Sequence, residues 1–363
     1  MIETKLLTFD EVMTKTLKEK RYLLLGNGFS MAYEYERFSF TSLLQSAVDN
    51  KIIEKDTPIY NLFNEFGTSD FEMIIKLLES SSIVLKYYDD IDPSAQEKMN
   101  MDAIALKKHL VSIVTNNHPE KANKVSDEEY LSCIELIKRF DTIFTLNYDL
   151  LLFWTTMKFM ELDEEGTFIS DKERRLKVSD GFGSNGIDDD NDYVIFKNDN
   201  SNFYQTIHYL HGALHIFDKK HEIIKNTYKR TQKALKDQTI ENLNKSIYPV
   251  FISEGTTNQK KAKIIHNPYL NNSYKTLKTI PSYQWNKPLS KNIHNSLIIF
   301  GTMLKSNDEH IIDAIINSKV QNIYVGISSL EKISEFSYFE ARLDGKRQLH
   351  FYDYNTLDVW REK

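Results

Sequence analysis

The stretch Arg21-Tyr-Leu-Leu-Leu-Gly-Asn-Gly-Phe-Ser30 decides the fold that we predict for this chain. Its apolar run ends at Gly26, and a second glycine, Gly28, follows closely. This pattern is typical of a buried strand that turns into a glycine-containing loop and then into a helix. Because ligands bind beyond the carboxyl ends of the strands in a parallel sheet, the polar residues behind each apolar run are the first candidates for function.

Further apolar, β-rich runs recur along the chain, and stretches with helical spacing separate them. Several runs lack the two-residue alternation of a half-exposed strand, which favours strands that are covered on both faces. The sequence therefore predicts an α/β fold built on a parallel sheet. The later predicted strands cover residues 141–146, 208–217, 249–253, 296–301, 320–326 and 349–353.

Two segments interrupt this alternation. Residues 55–140 carry apolar side chains at helical spacing and predict a helical insertion. Residues 161–206 contain several glycines and the acidic run Asp188-Asp189-Asp190, and they predict a hairpin or loop insertion. We interpret the acidic run as a solvated turn, because it lacks the spacing of a calcium loop. The whole chain, 1–363, is then predicted to be a single α/β domain with two insertions.

Composition and charge exclude several classes of function. Forty-six Lys and Arg against 52 Asp and Glu give a formal charge of −6, which provides no overall field to attract nucleic acid or an anionic membrane. The Lys-rich stretch 219–244 predicts a polar helix with a solvated face. The single cysteine, Cys133, allows neither an intrachain disulfide nor a zinc site with several cysteine ligands. No leader-like segment opens the sequence, and no apolar run approaches the ~20 residues of a membrane helix, so we expect a cytoplasmic protein.

Polar residues follow the first two predicted strands. The loop with Gly26 and Gly28 is able to approach phosphate groups closely, or it is an ordinary tight turn. Asn147 and Asp149 follow the second strand. They are suited to orient a water or an amide and to hold a ribose hydroxyl, but the same residue types also cap helices.

Histidines mark a third candidate position. His211 is either a general base, with Gly212 leaving room for a ligand, or a structural histidine. His208 and His215 lie nearby, but on one continuous strand His208 would point to the face opposite the other two. We therefore do not expect the three to form a metal site.

Gly301 and Thr302 end a later strand, and His310 lies at the start of the helix that follows. This position again has an ordinary alternative, a turn between strand and helix. Glycines and polar residues at four strand ends together favour a nucleotide pocket.

The four segments together resemble the sirtuin-like NAD-binding superfamily, which carries a Gly-Ala-Gly-x-Ser loop, a Thr-x-Asn-x-Asp strand end, a Leu-His-Gly strand and a Gly-Thr-Ser strand end in that order. Here they read Gly26-Asn-Gly-Phe-Ser30, Thr145-Leu-Asn-Tyr-Asp149, Leu210-His-Gly212 and Gly301-Thr-Met303. Over residues 20–330 the chain is also similar to an uncharacterised bacterial family of sirtuin-like proteins. The resemblance implies a Rossmann-like parallel sheet of the sirtuin type.

The resemblance also implies roles for single residues. His211 would be the catalytic histidine, and Asn147 and Asp149 would face the nicotinamide ribose. NAD would bind as the substrate. The residues implied to bind it are Gly26, Asn27, Gly28, Phe29, Ser30, Gly212, Gly301 and Thr302.

The chain departs from the superfamily pattern in three ways. Asn27 stands where the loop usually has alanine, and Met303 stands where the last motif has serine. Protein-deacylating sirtuins carry a zinc module with four cysteine ligands after the histidine strand, which a chain with only Cys133 cannot build. We therefore expect no zinc ribbon and no metal, and protein deacetylation is disfavoured.

The implied activity is hydrolysis of the N-glycosidic bond of NAD to give nicotinamide and ADP-ribose. In zinc-free bacterial relatives this chemistry depletes NAD during defence against phage, so the resemblance implies a regulated antiphage effector. Two alternatives stay open, a sensor or scaffold that binds NAD or ADP-ribose without turnover, and an ADP-ribosyltransferase. We expect a homo-oligomer, leave a protein activator or regulatory partner open, and expect neither membrane nor nucleic acid as a partner.

Overall fold

The structure is a computed structural model of the chain. It describes residues 5–38, 43–69, 71–88, 92–116, 119, 121–183, 193–197, 205–220, 222–226, 235–245, 247–252, 257–280, 294–343, 345 and 347–361. The acidic run at 188–190 and the predicted strand end at Ser253 lie outside these residues.

Ten strands in two sheets are present among the described residues. Six strands form a parallel sheet, which confirms the predicted α/β fold with a parallel sheet. The strands are β1 (Lys20–Leu25), β2 (Thr142–Thr145), β3 (Tyr193–Ile195), β4 (Ile207–Tyr209), β5 (Gly212–Lys219), β6 (Glu222–Asn226), β7 (Tyr248–Phe251), β8 (Asn295–Phe300), β9 (Asn322–Ile327) and β10 (Gln348–Asp353). The order across the parallel sheet is β10-β9-β8-β1-β2-β4.

The centre of this sheet is covered on both faces. Leu23 of β1 lies opposite Ile298 of β8 on one side and Ile143 of β2 on the other. All six residues of β8 are buried, as are all residues of β1 after the first. Because successive side chains of a strand point to opposite faces, such continuous burial requires packing on both faces.

The second sheet is antiparallel, with the order β3-β6-β5-β7. The prediction of a single strand at 208–217 is wrong. Strand β4 ends at Tyr209 in the parallel sheet, and β5 begins at Gly212 in the second sheet. Gly212 has φ +77°, and a Cβ there would lie 2.0 Å from the Val250 carbonyl oxygen. The chain changes sheets at a position where only glycine fits.

The helix predicted for 219–244 is only partly present. Residues 222–226 form β6, because Ile224 pairs with Phe217 of β5 and both are buried in a small separate core with Ile247. The helix Leu235–Asn244 is present among the described residues of this stretch. Burial against a neighbouring strand here prevails over the polar character of the surrounding sequence.

Helices connect the strands. Residues 55–140 contain the helices Pro58–Glu65, Phe71–Leu85, Pro93–Asn116 and Asp127–Ile137. The other α-helices among the described residues are Phe9–Lys15, Gly28–Met31, Tyr35–Phe38, Leu43–Asp49, Leu151–Glu164, Leu235–Asn244, Thr257–His266, Pro268–Lys278, Glu309–Asn317 and Ser337–Arg342. Within the described residues, no helix has the length and apolar character needed to span a membrane. The division into one domain with two insertions stays a prediction.

Candidate functional site

The order of strands marks one place on the parallel sheet. Counted along the chain, its six strands lie in the order 3-2-1-4-5-6, and the direction of winding reverses between β1 and β8. In doubly wound sheets of this order, ligands bind in the crevice beyond the carboxyl ends of the strands at that reversal. The Gly26–Ser30 loop and Gly301 follow β1 and β8 directly.

The two loops at the reversal touch each other through their backbones. Gly26 N donates to Phe300 O at 2.8 Å, and Gly28 N donates to Gly301 O at 2.8 Å. A Cβ on Gly28 would lie 2.5 Å from Gly301 Cα, and one on Gly26 would lie 2.5 Å from Thr302 Cβ. Gly301 itself has φ +77°. The close approach of the two loops therefore explains why these positions are glycines, before any ligand is considered.

A cavity of about 520 Å³ opens at this edge, beyond the ends of β1, β8 and β9. Four predicted binding residues line it, namely Asn27, Gly28, Gly301 and Thr302. Lys332, Glu335 and Arg361 add charged groups to its wall. Its volume is within the range of cavities that hold small ligands and cofactors.

Phe29 and Asn27 of this loop also make contacts within the protein. The Phe29 ring is fully buried and lies 5.0 Å from the Trp360 ring, centroid to centroid. The Asn27 amide nitrogen donates to Phe38 O at 2.7 Å, which ties the loop to the helix Tyr35–Phe38. For Phe29 the structure therefore gives a packing role, and its part in ligand binding stays a prediction.

Ser30 connects the first strand end to the second. Its hydroxyl donates a short hydrogen bond to Asp149 Oδ2 and accepts one from Asn147 Nδ2 at 2.9 Å. Asp149 Oδ1 also accepts from the backbone N–H of Leu151 at 2.9 Å, at the start of the helix Leu151–Glu164. Asp149 thus serves the helix start and the polar network together, so the two alternatives considered for it are compatible.

Burial controls the charge of this network. It raises the pKa of the Asp149 carboxyl from 3.8 to about 6, although hydrogen bonds from Ser30 and Leu151 oppose the shift. The ionised form is disfavoured in a medium of low dielectric constant, while donors to the carboxylate favour it. At neutral pH the group is mainly a carboxylate, held by a hydroxyl and a backbone N–H.

Backbone hydrogen bonds bring the histidine turn to the same edge. Leu210 N donates to Thr145 O at 2.9 Å, and Leu214 N donates to Tyr148 O at 2.9 Å. The turn that bears His211 therefore runs alongside the loop that bears Asn147. The structure brings the predicted catalytic residues to neighbouring positions beyond β2 and β4.

His211 contacts a second histidine. Its Nε2 lies 2.9 Å from Nε2 of His310, and the planes of the two rings are inclined to each other by 23°. His310 comes from the helix Glu309–Asn317, which follows β8, and it is fully buried. Since only one of two facing nitrogens is able to donate, at least one histidine accepts a hydrogen bond here.

Both histidines are disposed to be neutral. Burial lowers the pKa of His211 well below its usual value, and nearby His310 and Lys260 add to the effect, while a hydrogen bond to the Leu146 backbone opposes it. Burial and the charges of Lys260 and Lys261 lower the pKa of His310 to about 3. Lys260 is itself buried, and its Nζ lies 3.5 Å from Asp308 Oδ1. The pair is therefore uncharged at neutral pH.

The structure gives Gly212 and His310 contacts that the sequence does not predict. Gly212 packs against the Val250 carbonyl at the junction of the two sheets, which accounts for glycine at that position without a ligand. The sequence singles out His310 only as a residue near a helix start, and its pairing with His211 across 99 residues leaves no local signal. His208 and His215 stack instead on Phe144 and Phe153.

Another cavity, of about 710 Å³, lies along the helices Asp127–Ile137 and Leu151–Glu164 and is lined in part by Trp154 and Met157. It contains none of the predicted site residues. We place the candidate site at the strand ends, where polar side chains and a cavity coincide. Within the described ranges, no group of three or more His, Cys, Asp and Glu side chains is arranged to hold a metal ion.

Comparison with known proteins adds one finding. A family described as Domain of unknown function (DUF4917) matches residues 23–360, which include every described strand after the start of β1 and every site residue that the sequence predicts. None of the curated proteins matches the chain.

Proposed function

We propose that this chain, which belongs to the DUF4917 family, hydrolyses NAD at the bond between nicotinamide and ribose. One observation carries the proposal. The four segments that resemble sirtuin motifs come from distant parts of the chain, yet they meet at the carboxyl edge of the parallel sheet, around the reversal between β1 and β8. The proposed architecture is accordingly a Rossmann-like sheet of the sirtuin type without a zinc ribbon.

The two sides of β1 suggest how NAD would lie. The cavity beyond β1, β8 and β9 would hold the ADP half, with the backbone of Gly28 and Gly301 next to the phosphates. The network of Ser30, Asn147 and Asp149 lies on the β2 side, where the nicotinamide ribose would reach. A dinucleotide that crosses the reversal point would contact both.

The reaction places specific demands on these side chains. The C1′–N bond breaks, its electron pair moves to the nicotinamide nitrogen, a water oxygen bonds to C1′, and one proton is released. The Asp149 carboxylate would stabilise the positive charge that develops on the ribose, and Asn147 would orient the carboxamide or the water. His211, neutral at pH 7, would accept a hydrogen bond from the water or from a ribose hydroxyl.

The biological setting proposed with this activity is depletion of NAD by a cytoplasmic, homo-oligomeric effector in bacterial antiphage defence, under the control of a protein activator or regulatory partner. The support is the same resemblance and the contacts of His211. Its Nε2 is engaged by His310 and its ring is 6% exposed, so access to substrate requires a rearrangement that a trigger could provide.

The same burial favours a second candidate, a protein that binds NAD or ADP-ribose without turnover. A pocket used only for binding needs no accessible base. In that case NAD or ADP-ribose would bind, and no nicotinamide would appear.

The proposal is tested by incubating the purified protein with NAD and measuring the release of nicotinamide by chromatography. We expect turnover by the parent protein and a loss of roughly 10²–10⁴-fold in His211→Ala, since general-base contributions have this size. Asn147→Ala should show a comparable loss. His266→Ala is the matched control, because His266 is exposed on the helix Thr257–His266, and it should retain activity.

The melting temperature of each variant shows whether it is folded. Stabilisation of the parent by NAD without any release of nicotinamide would favour the binding protein. If the parent protein releases no nicotinamide and NAD does not raise its melting temperature, the NAD site is refuted.

A further inference from the structure

The segment from Tyr354 to Arg361 follows the last strand, β10, and returns to the loop behind the first strand. At its end the Trp360 indole Nε1 donates to the backbone oxygen of Phe29 at 2.8 Å. The Trp360 ring also lies 5.0 Å from the Phe29 ring and 5.4 Å from the Tyr33 ring, centroid to centroid. This contact joins residues 331 positions apart and reaches into the predicted phosphate loop.

Other contacts hold the segment in place. Ser132 Oγ donates to Asp358 O at 3.2 Å, and the Trp360 backbone lies next to the buried Cys133 thiol. Both anchors belong to the helix Asp127–Ile137. Trp360 has φ +58°, a conformation that a bulky residue seldom adopts. The surrounding contacts therefore fix the position of the indole against the loop.

The same segment forms one wall of the cavity at the reversal point. Tyr354, Leu357, Val359 and Arg361 line it together with Asn27 and Gly28. Arg361 is exposed, and its guanidinium lies 3.6 Å from the Asp358 carboxylate.

We infer that Trp360 is a positioning residue for the Gly26–Ser30 loop, and that residues 354–361 close the part of the site that would take the ADP half of the substrate. The inference rests on the proposed function. The indole holds the Phe29 carbonyl, and with it the peptide plane that leads to Ser30. A loop that is free to move would present its backbone to the diphosphate less often, so affinity for the ADP half would fall.

Trp360→Phe tests this role, because it keeps an aromatic ring and removes the donor. Amide hydrogen exchange in residues 26–31 should become faster. The Kd of ADP-ribose, measured by calorimetry, should rise roughly 3–10-fold, the size expected for one net hydrogen bond. Trp154→Phe is the matched control, since this indole is also buried but lies on the helix Leu151–Glu164, and neither quantity should change.

A second variant avoids the core. Arg361→Glu changes an exposed side chain, and reversal of a positive charge beside a diphosphate should raise the Kd of ADP-ribose several-fold at low salt and less at high salt. Unchanged exchange and unchanged Kd in folded Trp360→Phe, or an unchanged Kd in Arg361→Glu, would overturn the inference. If exchange in 26–31 becomes faster in Trp360→Phe but the parent does not bind ADP-ribose, Trp360 positions the loop and the proposed NAD function fails.

Discussion

The two sides of the candidate site are built in different ways. Around Gly28 and Gly301, on the β8 side, backbone packs against backbone, and the geometry depends on the absence of side chains. On the β2 side the site consists of buried polar side chains, chiefly Asp149, His211 and His310. On the β8 side, the lack of room for a side chain therefore limits which residues are tolerated. On the β2 side, the main cost is the removal of polar side chains from water.

Burial acts in the same sense on each titratable group of the polar side. It raises the pKa of Asp149 to about 6 and lowers that of His310 to about 3, so it favours the uncharged form of both the acid and the base. These shifts have opposite consequences for stability as the pH changes. Gly28 and Gly301 carry no titratable group, so the close packing of their backbones should not change with pH.

The largest effect should come from Gly301→Ala. A new Cβ would meet Gly28 Cα at 2.7 Å, and Gly301 also has φ +77°. We expect the free energy of unfolding in urea to fall by roughly 2–5 kcal/mol, from backbone strain and overpacking together. The change should be the same at pH 5 and pH 7.

Gly345→Ala separates the two causes. Gly345 has φ +72°, but a Cβ there would have nothing within 4 Å. This variant should lose only the strain contribution, about 1–2 kcal/mol. Equal losses in the two variants would mean that contact between the two loops is not what requires glycine at 301.

The next effect concerns His310. Its folded pKa is about 3, well below the usual value of 6.5, so it stabilises the protein above pH 6.5 and loses this stabilisation as the pH falls towards 3. We expect this group alone to remove about 3 kcal/mol from the free energy of unfolding between pH 6.5 and pH 4. His310→Gln, which keeps a donor for His211 and does not titrate, should lose correspondingly less stability in acid.

Urea unfolding at several pH values measures this difference. His266→Gln, at an exposed position, serves as the control and should follow the parent. If His310→Gln loses as much stability in acid as the parent, His310 is not held neutral by burial against His211.

The parallel sheet follows from the sequence more directly than the second sheet does. Continuous apolar runs such as the one that ends at Gly26 identify buried strands, because neither face can tolerate polar residues. The break between β4 and β5 depends on Gly212, whose neighbour is the Val250 carbonyl, 38 positions along the chain. Local alternation of residues carries no information about such a neighbour.

The same limit applies to the site. Strand ends of a parallel sheet share one edge, so the position of Asn147 and Asp149 near Ser30 follows from topology. The partner of His211 and the role of Trp360 do not, because both depend on packing between distant segments. Phe29 shows the converse case, since a motif residue predicted to bind NAD is buried against Trp360.

The smaller of the two pH-dependent effects concerns Asp149, and it distinguishes the acid from the histidines. Its folded pKa of about 6 is above its ordinary value of 3.8, so its contribution to stability is present below pH 3.8 and is lost as the pH rises through 6. In Asp149→Asn this loss should be absent. The difference in free energy of unfolding between parent and variant should therefore shift by about 1.5 kcal/mol between pH 4.5 and pH 6, in favour of the variant at the higher pH. The histidines titrate in both proteins and cancel in that difference. A difference that stays constant with pH would mean that Ser30 and Leu151 stabilise the carboxylate enough to offset its burial.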